Sequence, residues 1–100
     1  MSKDYRQHVT EDRRLVILRI LAEMPGYGCN SSIITDALDR YGHRVSRDHV
    51  HTDLAWLEEQ ELVGVDDFST VRVATATQRG VDVAEGRAHC PGVKRPGPGG

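Results

Sequence analysis

The stretch from residue 45 to residue 63 contains the signals for one short amphipathic helix, and it constrains the fold more than any other part of the chain. Ser46 is a suitable N-cap, because a serine hydroxyl can accept a hydrogen bond from an unpaired N–H of the first helical turn. Apolar residues then recur with helical spacing at Val50, Leu54 and Leu57. The pattern predicts a helix over residues 46–60 with one apolar face and a polar outer face.

The segments on both sides of this helix predict its neighbours. Downstream, residues 62–65 and 71–76 have the composition of two strands, and residues 66–70 are expected to form the hairpin tip between them. Upstream, Asn30 is suited to cap another helix, which Gly42 ends. Two helices joined by a short turn and followed by a hairpin predict a mainly α fold with a small β-hairpin wing, which is a winged helix-turn-helix.

The 100 residues are enough for one domain, and the sequence predicts where it begins and ends. Residues 1–9 show no apolar periodicity and are expected to form an arm, with Thr10 capping the first helix. The winged-helix domain is expected over residues 10–86. Residues 87–100 are predicted to be disordered, since seven of the last ten are Pro or Gly. No secretory signal or membrane span is recognisable, which favours a cytoplasmic protein.

The predicted first helix is apolar around most of its circumference. Two interpretations fit this composition. The helix is either the centre of the core, or it also buries a face against a second subunit. The second interpretation predicts a homodimer through helix 1.

Residues 45–63 resemble the third helix of bacterial winged-helix regulators of the MarR, PadR and ArsR type. The resemblance rests on V-S at 45–46, Val50, and L-E-E-x-x-L-V at 57–63, and A-T-Q-R-G at 76–80 is similar to the L-T-x-x-G that opens their final helix. It implies DNA binding and regulation of transcription. Glu61 departs from the pattern, since glycine is usual at this position, which often adopts a left-handed conformation. The whole chain, including P-G-V-K-R-P at 91–96, also resembles a family of small uncharacterised proteins of Mu-like transposable phages.

Basic and polar side chains gather where the helix over residues 46–60 begins. The candidate contacts to double-stranded DNA are Arg40, His43, Arg44, Arg47, His49, His51, Thr52 and, on the wing, Arg72. Arginine can bind guanine through two hydrogen bonds or hold a phosphate, and threonine can donate to either. The alternative is that Arg40, Arg44 and Arg47 form a solvated face paired with Asp39 and Asp48.

No residue pattern indicates a metal site, a cofactor or an active site. His49 and His51 lie two positions apart on a helix, so their side chains diverge, and His89-Cys90 lacks the spacing of metal ligands. The motifs of hydrolases, phosphate loops and zinc proteases are missing from the sequence. We therefore expect a binding protein rather than an enzyme.

Two functions from different classes remain. The arginines near residue 47 favour a small DNA-binding regulator of transcription, of phage or bacterial origin. The net charge of −2 and the acidic residues 66 and 67 of the wing favour a protein-interaction module, which would act in phage assembly or DNA packaging with a phage or host protein.

Overall fold

The structure, a computed structural model, describes residues 4–97. Over that range the chain forms four α-helices, one short 3-10 turn and three strands. They are α1 (Tyr5–Glu23), the 3-10 turn (Pro25–Tyr27), β1 (Gly28–Asn30), α2 (Ser31–Arg40), α3 (Arg47–Glu59), β2 (Val63–Phe68), β3 (Val71–Ala76) and α4 (Gln78–Ala84). This order of elements matches the expected helix-turn-helix followed by a hairpin.

Three helices begin at the residues that the sequence indicates. Ser46 Oγ accepts a hydrogen bond from the His49 N–H at 3.0 Å, at the start of α3. Asn30 caps α2 and Thr77 caps α4 in the same way, each three residues before the donor. These caps satisfy N–H groups that have no partner inside the helix, so the local sequence determines where each helix begins.

The start of α1 differs from the expectation. Asp4 rather than Thr10 is its cap, and Asp4 Oδ1 accepts a hydrogen bond from the Gln7 N–H at 2.9 Å. The prediction of an arm is therefore wrong for residues 5–9, which form the first turns of the helix; residues 1–3 lie outside the described residues. Residues 5–9 show no apolar periodicity because these turns of α1 extend beyond the core. Outside the core, the cap and the backbone hydrogen bonds are enough to form the helix.

The wing is longer than expected and its tip is smaller. The strands pair antiparallel in the order β1-β3-β2, and β2 continues to Phe68, which pairs with Val71. Asp66 and Asp67 thus lie in the strand, and only residues 69 and 70 form the turn, which corrects the predicted tip at 66–70. Because successive strand residues face opposite sides, the two carboxylates of the wing point in opposite directions.

One face of the hairpin covers the core and the other is open. Ala74 and Ala76 of β3 are buried, whereas Phe68 and Val71 are exposed near the tip. The outer edge of β2 has a side-chain partner, since Glu58 Oε2 accepts the Val65 N–H at 2.9 Å. In β3 the two alanines therefore face inward and Val71 faces outward, an assignment that alternation alone does not determine.

The core lies between α1, the other helices and the inner face of the sheet. The buried apolar residues of α1 are Leu15, Val16, Ile17, Leu18, Ile20 and Leu21. Helix α1 packs against α2, α4 and β3, so its apolar surface is covered within one chain. These six residues therefore do not form the exposed apolar patch on which the dimer prediction was based. The dimer itself stays untested. Among residues 4–97, no helix is long and apolar enough to cross a membrane.

The junction between α3 and β2 has the left-handed residue that the sequence indicates. Glu61 has φ 62°, and the Leu62 N–H donates to Leu57 O at 3.0 Å across the helix end. Helix α4 then lies directly on this turn: a Cβ at Gly80 would be 2.0 Å from Leu62 O. Only glycine permits that approach, so α4 is held against the end of α3.

Residues 88–97, here named the C-terminal strap, are ordered against the domain. Cys90 and Val93 are each only 2% exposed, and the Lys94 N–H donates to Glu11 O of α1 at 3.2 Å. The predicted disorder is therefore wrong for this segment, while residues 98–100 lie outside the described residues. A Pro/Gly-rich composition lowers the apolar content, but here two apolar side chains fit into gaps left by the helices.

Replacing Leu54 with alanine tests the apolar face of α3. Leu54 is 0% exposed, and emptying such a site costs about 2–5 kcal/mol of unfolding free energy, so Leu54→Ala should be destabilised by that amount. Ile33→Ala is the matched control, because Ile33 is 49% exposed and should lose far less. Urea denaturation followed by circular dichroism measures both. Equal losses in the two variants would contradict this orientation of α3.

Candidate nucleic-acid interface

Helix α3 exposes its N-terminal half on the side away from α1. Arg47, Asp48 and Thr52 are exposed, whereas Val50 and Leu54 are buried on the opposite side. Thr52 Oγ1 has only a long hydrogen bond to Asp48 O, at 3.4 Å. The hydroxyl is thus free to exchange this weak bond for one to an external acceptor.

The three arginines at the entry to α3 all reach solvent, as the sequence predicts. Arg44 forms an exposed ion pair with Asp39 Oδ1 at 3.1 Å. Arg47 makes no ion pair with any of residues 4–97, and Arg40 is exposed at the end of α2. An exposed pair contributes only about 0–1 kcal/mol, so Arg44 can leave Asp39 for a phosphate at little cost.

The sequence predicts contacts from His43, but its side chain points toward α1. It is 9% exposed, and Nε2 lies 2.7 Å from Asp12 Oδ2. Because a carboxylate can only accept, His43 donates this hydrogen bond. Burial by itself would raise the pKa of Asp12, but the hydrogen bonds from His43 and Lys94 outweigh it and the pKa is lowered. His43 therefore connects the turn before α3 to α1 and does not face outward.

His49 also bonds to α1. Its Nε2 lies 2.9 Å from Arg13 Nη2. A guanidinium group has donors and no acceptor, so His49 Nε2 accepts this hydrogen bond. His49 is nevertheless exposed, so its ring joins α3 to α1 while part of it lies at the surface.

His51 lies between α3, α2 and the wing. Its Nε2 is 2.8 Å from Ser31 Oγ. Burial lowers its pKa, and the positive charges of Arg72 and Arg47 lower it further, so the ring is largely neutral at pH 7. Since the charge of Arg72 lowers the pKa of His51, this arginine of the wing lies near α3.

Arg72 is the only basic residue of the hairpin, over residues 63–76, and a carboxylate of the same hairpin binds it. Its Nε donates to Asp67 Oδ1 at 2.6 Å, across the register pair of the two strands. The pair cancels one negative charge of the wing and leaves Asp66 uncompensated. Of the eight predicted contacts, the structure thus leaves six at the surface where DNA could reach them, and His43 and His51 are more deeply buried. The six are Arg40, Arg44, Arg47, His49, Thr52 and Arg72.

The residues that orient α3 were missed by the sequence interpretation. Arg13 of α1 and Asp53 of α3 form a buried, two-point ion pair, with distances of 2.5 Å and 3.2 Å and side-chain exposures of 5% and 4%. Next to it, the Arg14 guanidinium lies 3.8 Å from the ring centroid of Trp56. The sequence did contain a signal for this ion pair. Asp53 lies on the apolar face of α3 between Val50 and Leu54, where an aspartate requires a partner.

Charge is distributed unevenly along α3. The arginines lie at its N-terminal end, and the exposed Glu58, Glu59 and Glu61 lie at its C-terminal end. Phosphates would be attracted to the first half of the helix and repelled from the second. The arrangement thus permits contact near the N-terminal end only.

Metal ligands are not grouped in the described residues. Among residues 4–97, no three His, Cys, Asp or Glu side chains lie together as ligands would. Cys29 and Cys90 are free and buried thiols, and burial raises the pKa of Cys29.

Sequence comparison relates the chain to one phage protein and one bacterial protein. No family model matches it. The chain is 56% identical over 90 residues to the uncharacterized protein gp26 of Escherichia phage Mu, which covers 90% of this chain and 93% of the relative. The chain belongs to the family of phage Mu gp26-like proteins. An uncharacterized protein of Haemophilus influenzae is 50% identical over 76 residues, which cover 75% of this gp26-like chain and 74% of that relative.

Solved structures place the fold among winged helices. A mutant of ZitR from Lactococcus lactis, a winged-helix regulator, matches with a TM-score of 0.56 and 26% identity, over 73% of this chain and 47% of that one. The apo form of the same mutant matches with a TM-score of 0.59 and 25% identity, over 81% and 57%. The gp26-like chain thus spans about half the length of ZitR, and it has the winged-helix fold.

Removing one partner of the buried Arg13–Asp53 pair should destabilise the fold far more than removing one partner of an exposed pair. Arg13→Met leaves Asp53 buried without a partner, which costs about 3–5 kcal/mol of unfolding free energy. Arg72→Met breaks a pair of similar length, but its exposures of 36% and 65% predict a loss below about 1 kcal/mol. Guanidinium denaturation of both variants makes the comparison. An Arg13→Met loss as small as that of Arg72→Met would show that the pair does not hold α3.

Proposed function

We propose that this gp26-like protein binds double-stranded DNA with the N-terminal half of α3 and regulates transcription. The observation that carries the proposal is an exposed set of donors, with Arg47 and Thr52 on α3 and Arg44 just before it, at a helix that a buried ion pair fixes to the scaffold. A reading helix requires both properties, because side chains must reach base edges from a fixed position. The proposal includes no catalytic step and no cofactor.

The contacts would divide between bases and phosphates. Arg47 and Thr52, on the outer side of α3, are suited to base edges in the major groove. Arg40 and Arg44, at the entry to the helix, are suited to phosphates, and Arg72 would reach a phosphate by leaving Asp67. Such a small set of cations predicts modest affinity that falls steeply with salt, since each phosphate neutralised adds about −0.9 to the slope of log affinity against log salt.

The comparisons support this proposal at the level of the fold. The structural neighbour is a winged-helix regulator, and the gp26 relative comes from a phage, which makes phage Mu DNA a suitable probe. One fold can serve several functions, so the argument depends on the donors of α3. A homodimer through α1 stays a prediction. The exposed apolar face that first suggested it is not found among residues 15–21 of α1, since their apolar side chains are buried within the chain.

The wing favours a second candidate function. Asp66 lies beside the exposed apolar pair Phe68 and Val71, and the whole chain has a net charge of −2. An acidic, apolar surface suits a protein partner better than phosphate. A protein-interaction module in phage assembly or DNA packaging would bind its partner through this surface. Arg44 and Arg47 would then contact no DNA.

Two substitutions on adjacent residues of α3 should change DNA affinity in opposite directions. Arg47→Ala removes a cation, and it should weaken binding by about 1–3 kcal/mol if Arg47 contacts a base, or lower the salt slope by about 1 if it contacts a phosphate. Asp48→Asn removes a charge that repels phosphates and should strengthen binding. Fluorescence anisotropy with labelled phage Mu fragments and random duplexes, over a salt series, measures both.

Arg79→Ala is the control for general loss of positive charge. The Arg79 guanidinium donates to Gln60 O, beside the C-terminal end of α3, and should not reach the DNA. Its affinity should equal that of the wild type. No binding by the wild type at low salt would refute the DNA proposal and leave the interaction module as the remaining candidate.

His51 should make DNA affinity dependent on pH. Its pKa in the free protein lies below the ordinary value of 6.5, and a nearby phosphate would favour the protonated ring. DNA binding then takes up a proton, so affinity should rise as the pH falls from about 7.5 to about 5.5. The rise should be smaller in His51→Gln, by anisotropy at low salt. An equal rise in both proteins would mean that His51 is remote from the DNA.

A further inference from the structure

The C-terminal strap contacts α3 at Trp56, in the C-terminal half of the helix. Gly92 has φ +98°, and a Cβ built on it would lie 2.6 Å and 2.7 Å from the Trp56 ring atoms Cζ2 and Cη2. Only a hydrogen atom fits between the strap backbone and the ring. The fit requires glycine twice, for the backbone conformation and for the close approach.

Arg14 joins the strap, α1 and α3 at this point. Its guanidinium stacks on the Trp56 ring at 3.8 Å, and its Nη1 donates to Gly92 O at 2.9 Å. The guanidinium is partly removed from water, and this burial lowers the pKa of Arg14. Stacking on an aromatic face and donating to a carbonyl in the plane of the group are the two geometries that a guanidinium combines best.

A second connection runs from the strap to the turn before α3. Lys94 Nζ lies 3.2 Å from Asp12 Oδ1, and Asp12 Oδ2 lies 2.7 Å from His43 Nε2. The carboxylate of α1 therefore bridges the strap and the residue next to Arg44. Through Trp56 and through His43, the strap acts on the part of the chain that presents the arginines.

The strap has few anchors compared with the core beneath it. Its buried apolar side chains are Cys90 and Val93, and its main-chain link to α1 is the Lys94–Glu11 hydrogen bond. Segments with few buried apolar contacts open locally at a lower free energy than the core. The strap can thus open while Leu54 and Leu57, which are fully buried in the core, keep α3 folded.

We infer that the C-terminal strap is a positioning element for α3: closed over Trp56, it holds the helix in its DNA-contacting orientation, and opened, it lowers DNA affinity. The inference rests on the proposed DNA function and adds a means of regulating it. A bound partner that displaces the strap would weaken DNA binding without contacting Arg44 or Arg47.

Gly92→Ala in the full chain tests the inference, with Gly97→Ala as its control. The added methyl collides with Trp56 in the first variant, whereas a Cβ at Gly97 meets no atom within 4 Å. Trp56 is the only tryptophan, so acrylamide quenching of its fluorescence reports directly on the strap. We expect Gly92→Ala to show stronger quenching and an affinity for duplex DNA lowered about fivefold or more, at unchanged helix content. Gly97→Ala should match the wild type in every measurement.

A third substitution shows whether the effect passes through the Gly92–Trp56 contact. Trp56→Phe removes the ring atoms with which the methyl collides, so Gly92→Ala should lower affinity much less in that background than in the wild type. Arg14→Met provides an independent opening of the strap and should reproduce the loss of affinity. It also keeps the test available if Gly92→Ala fails to fold.

The results separate this inference from the proposed function. Stronger quenching in Gly92→Ala with wild-type affinity would overturn the positioning role, and unchanged quenching would show that the strap does not lie on Trp56. If the wild type binds no DNA, the proposed function fails. Hydrogen exchange of the α3 amides then still tests whether the strap positions α3. If these amides are as protected in Gly92→Ala as in the wild type, the positioning role is overturned.

Discussion

The buried Arg13–Asp53 ion pair determines how α3 lies on α1, and the outward surface follows from that orientation. Neither charge could be buried alone, since an unpaired ion in the interior costs several kcal/mol. The two-point geometry and the hydrogen bond to His49 leave few other arrangements for the guanidinium. Such a pair contributes more to orientation than to net stability, because desolvation offsets most of the attraction.

Local signals in the sequence were sufficient for the fold and for the starts of α2 and α3. Ser46 and Asn30 cap the helices that they were expected to cap, because a cap depends only on residues within one turn. The wing was less predictable. Its alternating residues fit either face, and the choice depends on packing against distant parts of the chain, which buries Ala74 and leaves Phe68 exposed.

The strap and the histidines could not be predicted because their partners are distant in sequence. A Pro/Gly-rich segment indicates disorder unless a matching surface exists, and the surface for Val93 is assembled from helices far away in the chain. The histidines formed one basic group in the sequence, yet His43 and His49 bind residues of α1 and His51 binds Ser31 of α2. The interface therefore consists of the arginines, His49 and Thr52, whose roles remain predictions.

The hydrogen bond from Val65 N to Glu58 Oε2 affects how copies of this protein can meet. Strand β2 lies at the border of the sheet, where free amide groups normally invite pairing by another β-strand. The glutamate occupies one of these amides and adds a negative charge beside it. Growth of the sheet from one molecule to the next is thereby discouraged, which helps a small protein with an apolar wing to resist aggregation.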